Sequence, residues 1–280
     1  MSTTSMPTWP LPHCHTFRGQ AVRFHVTGDG PPLVLVHGTP FSSYVWHRIA
    51  PHLARIRTVY YYDLLGYGLS AQAAPGVEQD VSLGVQNALL AELLAHWQLK
   101  SPDVIAHDFG GATALRAHLI DGCDYRTLTL IDPVALAPWG SPFVRHVREH
   151  GDAFAGLPPY IHEAVVKAYV RGAIARAIPD DELAPYVAPW LGVTGQAAFY
   201  RQIAQMDQRY TDEVEPRYAQ LRCPTQILWG EEDHWIPPAR GRQLAACIPD
   251  AQLQMVPKAG HLMQEDAPEA IVAAALRWLA

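Results

Sequence analysis

Short apolar runs bounded by Gly, Pro or Asp alternate with helical patterns along most of this chain, and that alternation constrains its fold more than any other feature. The runs are "AVRFHVTG", "PLVLVHG", "RTVYYYD", "PDVIAHD", "TLTLIDP", "PTQILWG" and "AQLQMVP". Several are apolar without a break, as strands buried on both faces of a mainly parallel sheet must be. Between them lie helical periods. After Asp80, the residues Val85, Leu89, Leu93 and Trp97 recur at i+4 with Leu90 and Leu94 beside them, giving one apolar face to lay on a sheet. Strands alternating with helices predict an α/β fold.

Two segments break the rhythm. "TFRGQAVRFHVTGDGPP" reads as an antiparallel hairpin leading into the sheet. Residues 133–220 contain no convincing core strand and carry helical patterns instead, such as Ile161, Val165, Tyr169 and then Phe199, Ile203, Met206. The expected organisation is a core from residues 1–132 and 221–280 with a helical cap, 133–220, inserted between them. Such an insertion would stand above the carboxyl ends of the strands, where open α/β sheets bind ligands.

The net charge of −6 is spread along the chain, leaving no basic stripe for phosphates, so nucleic acid is not an expected partner. Cys14, Cys123, Cys223 and Cys247 are far apart without a CxxC pair and suit reduced thiols in a cytoplasmic protein. The start "MSTTSMPTWPLPHCH" lacks a charged n-region followed by an apolar run, and no segment is apolar enough to span a bilayer. His13, His15 and His25 give no metal-ligand spacing, and neither "GDGPP" nor Gly110-Gly111 gives a phosphate-binding pattern. The expectation is therefore a small-molecule substrate, no metal and no cofactor.

The chemistry concentrates in "VIAHDFGGATAL". A buried strand runs directly into a helix, with Ala106 and Gly110 two residues either side of Asp108. A turn sharp enough to lift one side chain above a sheet needs small neighbours, so the stretch reads as a nucleophile elbow with an aspartate at its tip. Downstream, "LWGEEDHWIPP" supplies Asp233 and "PKAGHLMQEDAPEAI" supplies His261, in the order nucleophile, acid, histidine. Upstream, "LVLVHGTPFSSYVW" places His37, Gly38 and Thr39 after a buried strand, where the amides of Thr39 and Phe109 could form an oxyanion hole. Asp132 is a reserve for the acid, His107 is expected to be structural, and Glu231 and Glu232 are expected to face solvent.

With those motifs in view, the chain resembles the α/β-hydrolase superfamily. "HGTPFSSYVW", "DLLGYGLS" and "AHDFGG" are most similar to its aspartate-nucleophile members, the haloalkane dehalogenases, haloacetate dehalogenases and cap-bearing epoxide hydrolases. The resemblance implies Asp108 as nucleophile, His261 as base and Asp233 as its acid, acting on a carbon–halogen or epoxide bond. The halide-binding Trp expected after the nucleophile is Phe109 here, and Thr39 stands where a second donor is usual. Trp139 or Trp190 could substitute for halide, and Tyr200, with Tyr160 or Tyr169 as seconds, could protonate an epoxide oxygen. His37 is a further candidate for the substrate pocket. Two alternatives stand beside this reading: hydrolysis of an ester, lactone or carbon–carbon bond, and a non-catalytic small-ligand binder.

Overall fold

The computed structural model describes residues 9–279, so the first eight residues of the start read above lie outside it. Eight strands form one sheet: β1 (His13–Phe17), β2 (Gln20–Thr27), β3 (Pro32–Val36), β4 (Thr58–Tyr62), β5 (Asp103–His107), β6 (Thr127–Ile131), β7 (Thr225–Gly230) and β8 (Gln252–Val256). Their spatial order is β1-β2-β4-β3-β5-β6-β7-β8. The expected hairpin is present, with Phe17 opposite Gln20 and β2 antiparallel to β4. From β4 to β8 every pairing is parallel.

Burial explains why the central runs carry so few polar residues. Every residue of β5, β6 and β7 is buried, so these strands have no solvent face to alternate with. Polar residues at their ends are paired: Asp103 accepts from Thr127 Oγ1 at 2.6 Å and Arg126 at 2.5 Å. The helix Leu83–His96 buries Val85, Leu89, Leu90, Leu93 and Leu94, the face expected from their spacing, and packs on the helix Phe109–Leu119. Glu231 and Glu232 are exposed, as expected.

Between β6 and β7 the described residues contain helices and turns but no strand, including Pro142–Glu149, Pro159–Arg171, Asp180–Val187 and Gly192–Ala204. Phe199, Ile203 and Met206 are buried as expected. The helix Pro159–Arg171 differs in phase: it buries His162, Val166 and Val170, while Ile161 is exposed. His162 sits among apolar neighbours because both its ring nitrogens are engaged, Nδ1 with the Tyr200 hydroxyl at 3.0 Å and Nε2 with the Trp190 carbonyl at 2.8 Å. No helix is long and apolar enough to cross a membrane among the described residues.

Candidate active site

Asp108 stands between β5 and the helix Phe109–Leu119 with φ 51° and ψ −119°, a conformation that L-residues rarely adopt. The small residues around it have separate reasons. A methyl group on Gly110 would lie 2.3 Å from the Val36 carbonyl oxygen, and one on Gly111 would lie 2.5 Å from Pro133 Cβ. The turn also holds its own backbone, since the Asp108 carbonyl accepts from Gly111, Ala112 and Val134. The strained tip is thus fixed by its surroundings.

The Asp108 carboxylate has two distinct partners. Oδ1 accepts from the Thr39 amide at 2.7 Å, and Oδ2 lies 3.3 Å from His261 Nε2. His261 Nδ1 is 2.9 Å from Asp233 Oδ2, while Asp233 Oδ1 accepts from the amides of Trp235 and Ile236, both at 2.8 Å. Asp108, Asp233 and His261 are all buried. Burial alone lowers the basicity of His261, but the adjacent Asp233 and Asp108 carboxylates outweigh it and hold the imidazole well above its ordinary pKa. The residues expected from three separate motifs therefore meet in one line, with His261 hydrogen-bonded to Asp233 and 3.3 Å from Asp108.

Asp132 does not take the place of Asp233 beside the histidine. Its Oδ1 accepts from the Gly230 amide at 2.8 Å, and its Oδ2 has no hydrogen-bond partner. Burial and the neighbouring Asp233 charge push its carboxyl well above the usual range. His107 is turned from Asp108 but supports the same line, with Nε2 at 2.9 Å from the His261 carbonyl oxygen. Burial, reinforced by His261, lowers its pKa to about 3, which keeps it neutral and able to donate that bond.

A cavity of about 50 Å³ opens at the carboxylate, with Thr39, Phe109, Val134, Trp139, Ser141, Val144, Tyr169, Met206, Trp235 and Ile236 among its lining residues. Its walls are mostly apolar and aromatic, with Trp235 stacked on Tyr169 at 4.4 Å between ring centroids. Phe109 meets Trp139 edge to face at 5.6 Å. Burial, together with the nearby Asp108 charge, raises the Tyr169 phenol above its ordinary pKa, so it keeps its proton in neutral water.

Several expected pocket residues lie elsewhere. His37 is buried behind the loop, where Nδ1 meets the Gly38 carbonyl at 2.8 Å and Nε2 accepts from the Leu64 amide at 2.9 Å; it fixes the loop rather than lining the cavity. Trp190 donates its indole N–H to the Pro40 carbonyl at 2.6 Å, and Tyr200 is held by His162. Tyr160 is 72% exposed. Trp139 does line the cavity, but its N–H goes to Thr211 Oγ1 at 2.7 Å. Trp139, Trp190 and Tyr200 each have a partner far away in sequence, which helical spacing does not reveal.

The cavity wall also includes residues that the motifs do not mark, Trp235 and Ser141 among them, although Trp235 lies two residues after Asp233. Gly38 has a role of its own that the loop motif does not state. A methyl group there would stand 2.4 Å from both Cβ and Oδ1 of Asp108, so only glycine lets the Thr39 amide reach the carboxylate. The place of Gly38 directly before Thr39 in "HGTP" is the sequence mark of that role.

A family model described as the alpha/beta hydrolase family matches residues 33–275. The chain belongs to the alpha/beta hydrolase family. A crystal structure of an alpha/beta hydrolase fold protein from Burkholderia ambifaria is 57% identical, covers 96% of this chain and 98% of that one, and superposes with a TM-score of 0.92. At 26% identity, the 2-hydroxy-6-oxo-2,4-heptadienoate hydrolase of Pseudomonas putida aligns over 88% of this chain and 88% of its own length. A haloalkane dehalogenase loop variant from Bradyrhizobium elkanii, at 23% identity and a TM-score of 0.74 over 95% of each chain, shares the fold. The alpha/beta hydrolase arrangement thus accounts for the sheet, the elbow and the order of Asp108, Asp233 and His261 along the chain.

Proposed function

We propose that this alpha/beta hydrolase uses Asp108 as a covalent nucleophile toward a saturated carbon of a small, largely apolar substrate, with the helical segment 133–220 acting as the cap over the site. The observation that carries the reading is the division of the Asp108 carboxylate between the Thr39 amide and His261 Nε2. A carboxylate is charged at neutral pH without a base, so the first step needs no proton transfer to His261. One Asp108 oxygen forms a bond to carbon as the leaving group departs with the bonding electrons, leaving an alkyl ester on Asp108.

Ester formation changes the histidine. It removes the Asp108 negative charge that helps hold the His261 proton, so the imidazole becomes neutral more readily at the stage when a base is needed. His261 then takes a proton from water, whose oxygen attacks the Asp108 carboxyl carbon. The Thr39 and Phe109 amides stabilise the oxyanion, and Asp233 stabilises the imidazolium. Collapse releases the alcohol with the proton returned from His261 and leaves Asp108 as a carboxylic acid, which gives its remaining proton to solvent or, after epoxide opening, back to the phenolate that donated one, restoring the carboxylate. No cofactor is required for this sequence of bonds.

The leaving group is best read as an oxygen. Tyr169 lines the same cavity and retains its proton, which suits it to protonate the oxygen of an opening epoxide. The indole N–H groups of Trp139 and Trp190, the halide donors suggested by the sequence, are engaged elsewhere. The test is intact-mass analysis of the His261→Ala variant with small epoxides and haloalkanes. An epoxide adduct should accumulate on Asp108 with the mass of the whole substrate, and wild type should form a diol. A haloalkane adduct with halide release would keep the nucleophile and change the leaving group. Turnover of esters or carbon–carbon substrates without any adduct on Asp108 would support the alternative in which Asp108 is a base, and tight binding with no turnover would support a binding protein.

A further inference from the structure

The helix Pro142–Glu149 has two different sides. Val144 and Val147 are buried, with Val144 in the cavity wall, while His146, Glu149 and the following His150 are exposed. In "HVREH" these three lie at i, i+3 and i+4, a spacing that puts side chains on one face of a helix. One ligand atom from each lies within 4.8 Å of the other two, and the imidazole centroids are 4.6 Å apart. Among the described residues, none of the three side chains is hydrogen-bonded or ion-paired.

We propose that His146, Glu149 and His150 form a surface site for one divalent transition-metal ion. Metal–ligand bonds of about 2.0–2.2 Å need only small rotations of these exposed side chains, and water would fill the remaining positions. Two imidazoles with one carboxylate select Zn²⁺, Ni²⁺, Co²⁺ or Cu²⁺ over Mg²⁺ and Ca²⁺, which prefer oxygen alone. The site also lies at the carboxyl end of the helix, where the partial negative charge favours a cation. Of the two basic neighbours, Arg145 is turned toward the Gly140 carbonyl, which leaves Arg148 as the nearby opposing charge.

His150 is the junction between this helix and the helix Gly151–Ala155, with φ −129° and ψ 36°. An ion held by His146 and His150 ties that junction to the last turn of the helix that walls the cavity. Binding is therefore expected to stiffen this side of the segment. It should weaken as pH falls, because each imidazole must lose its proton to ligate.

The test uses the full chain with Cys14→Ser and Cys247→Ser, which removes the two exposed thiols, after treatment with a chelator. Isothermal titration with ZnCl₂ and absorption spectra with CoCl₂ are measured for this protein and for versions adding His146→Ala, His150→Ala or both. The expected result is saturable binding of one ion per chain, weakened more than about tenfold by either substitution and abolished by both. Circular dichroism should show the same fold throughout, since both histidines are exposed. Zn²⁺ at a hundred times its dissociation constant should raise the melting temperature by roughly 2 °C or more, and only where the two histidines remain. Absence of saturable binding, or equal binding by the double variant, would overturn the proposal.

Discussion

At Gly38 the missing side chain sets the chemistry of the residue it faces. Adding a methyl group there would drive into the Asp108 carboxylate and displace the Thr39 amide from Oδ1. Gly38→Ala should therefore fold while forming the covalent intermediate about 100-fold more slowly, the usual consequence of moving a reacting group by about 1 Å. Rapid-quench kinetics with circular dichroism would separate the two effects, and an unchanged rate would remove Gly38 from the account. Asp132 makes a different prediction. Its folded-state pKa is raised above the unfolded value of about 3.9, so the folded protein binds the extra proton and stability falls as pH rises from there through the folded pKa. Asp132→Asn keeps an acceptor for Gly230 but cannot ionise. Its stability should therefore gain on wild type as pH increases above about 4, read as a melting-temperature difference that widens with pH. A difference that stays constant across pH would contradict a raised Asp132 pKa.

The helix Pro159–Arg171 shows what a periodic pattern leaves open. Ile161, Val165 and Tyr169 mark an apolar stripe in the sequence, yet the buried stripe is one residue on, at His162, Val166 and Val170. The helix packs on more than one side: His162 satisfies groups on neighbouring helices, and Tyr169 turns toward the cavity. Apolar spacing finds a helix but does not rank its two partly covered faces. If Tyr169 is the proton donor, Tyr169→Phe should slow epoxide opening by about 100-fold and leave the His261-dependent ester hydrolysis unchanged. Pre-steady-state measurement of both steps is the check, and equal slowing of both would point to a structural role instead.

For the whole molecule, the sequence made the core legible because a parallel sheet covered on both faces leaves a strong mark. The uninterrupted runs in β5 and β6 are buried from end to end. The elbow and its partners were legible for a related reason: strand ends fix where Asp108, Asp233 and His261 emerge, and local order along the chain reports that position. The walls of the cavity were not legible in the same way. Trp190 and Tyr200 turn toward Pro40 and His162, partners known only once the helices are assembled. On the proposed mechanism, substrate choice depends on those walls, whereas bond-making depends on Asp108.

The central claim is that an Asp108 oxygen becomes part of the product. A single turnover with enzyme in excess, in water enriched in ¹⁸O, tests it most directly once an epoxide or haloalkane substrate is in hand. The account predicts that the first-turnover product carries no ¹⁸O from solvent and that the label appears in the peptide containing Asp108. A first-turnover product labelled by solvent, with Asp108 unlabelled, would contradict it.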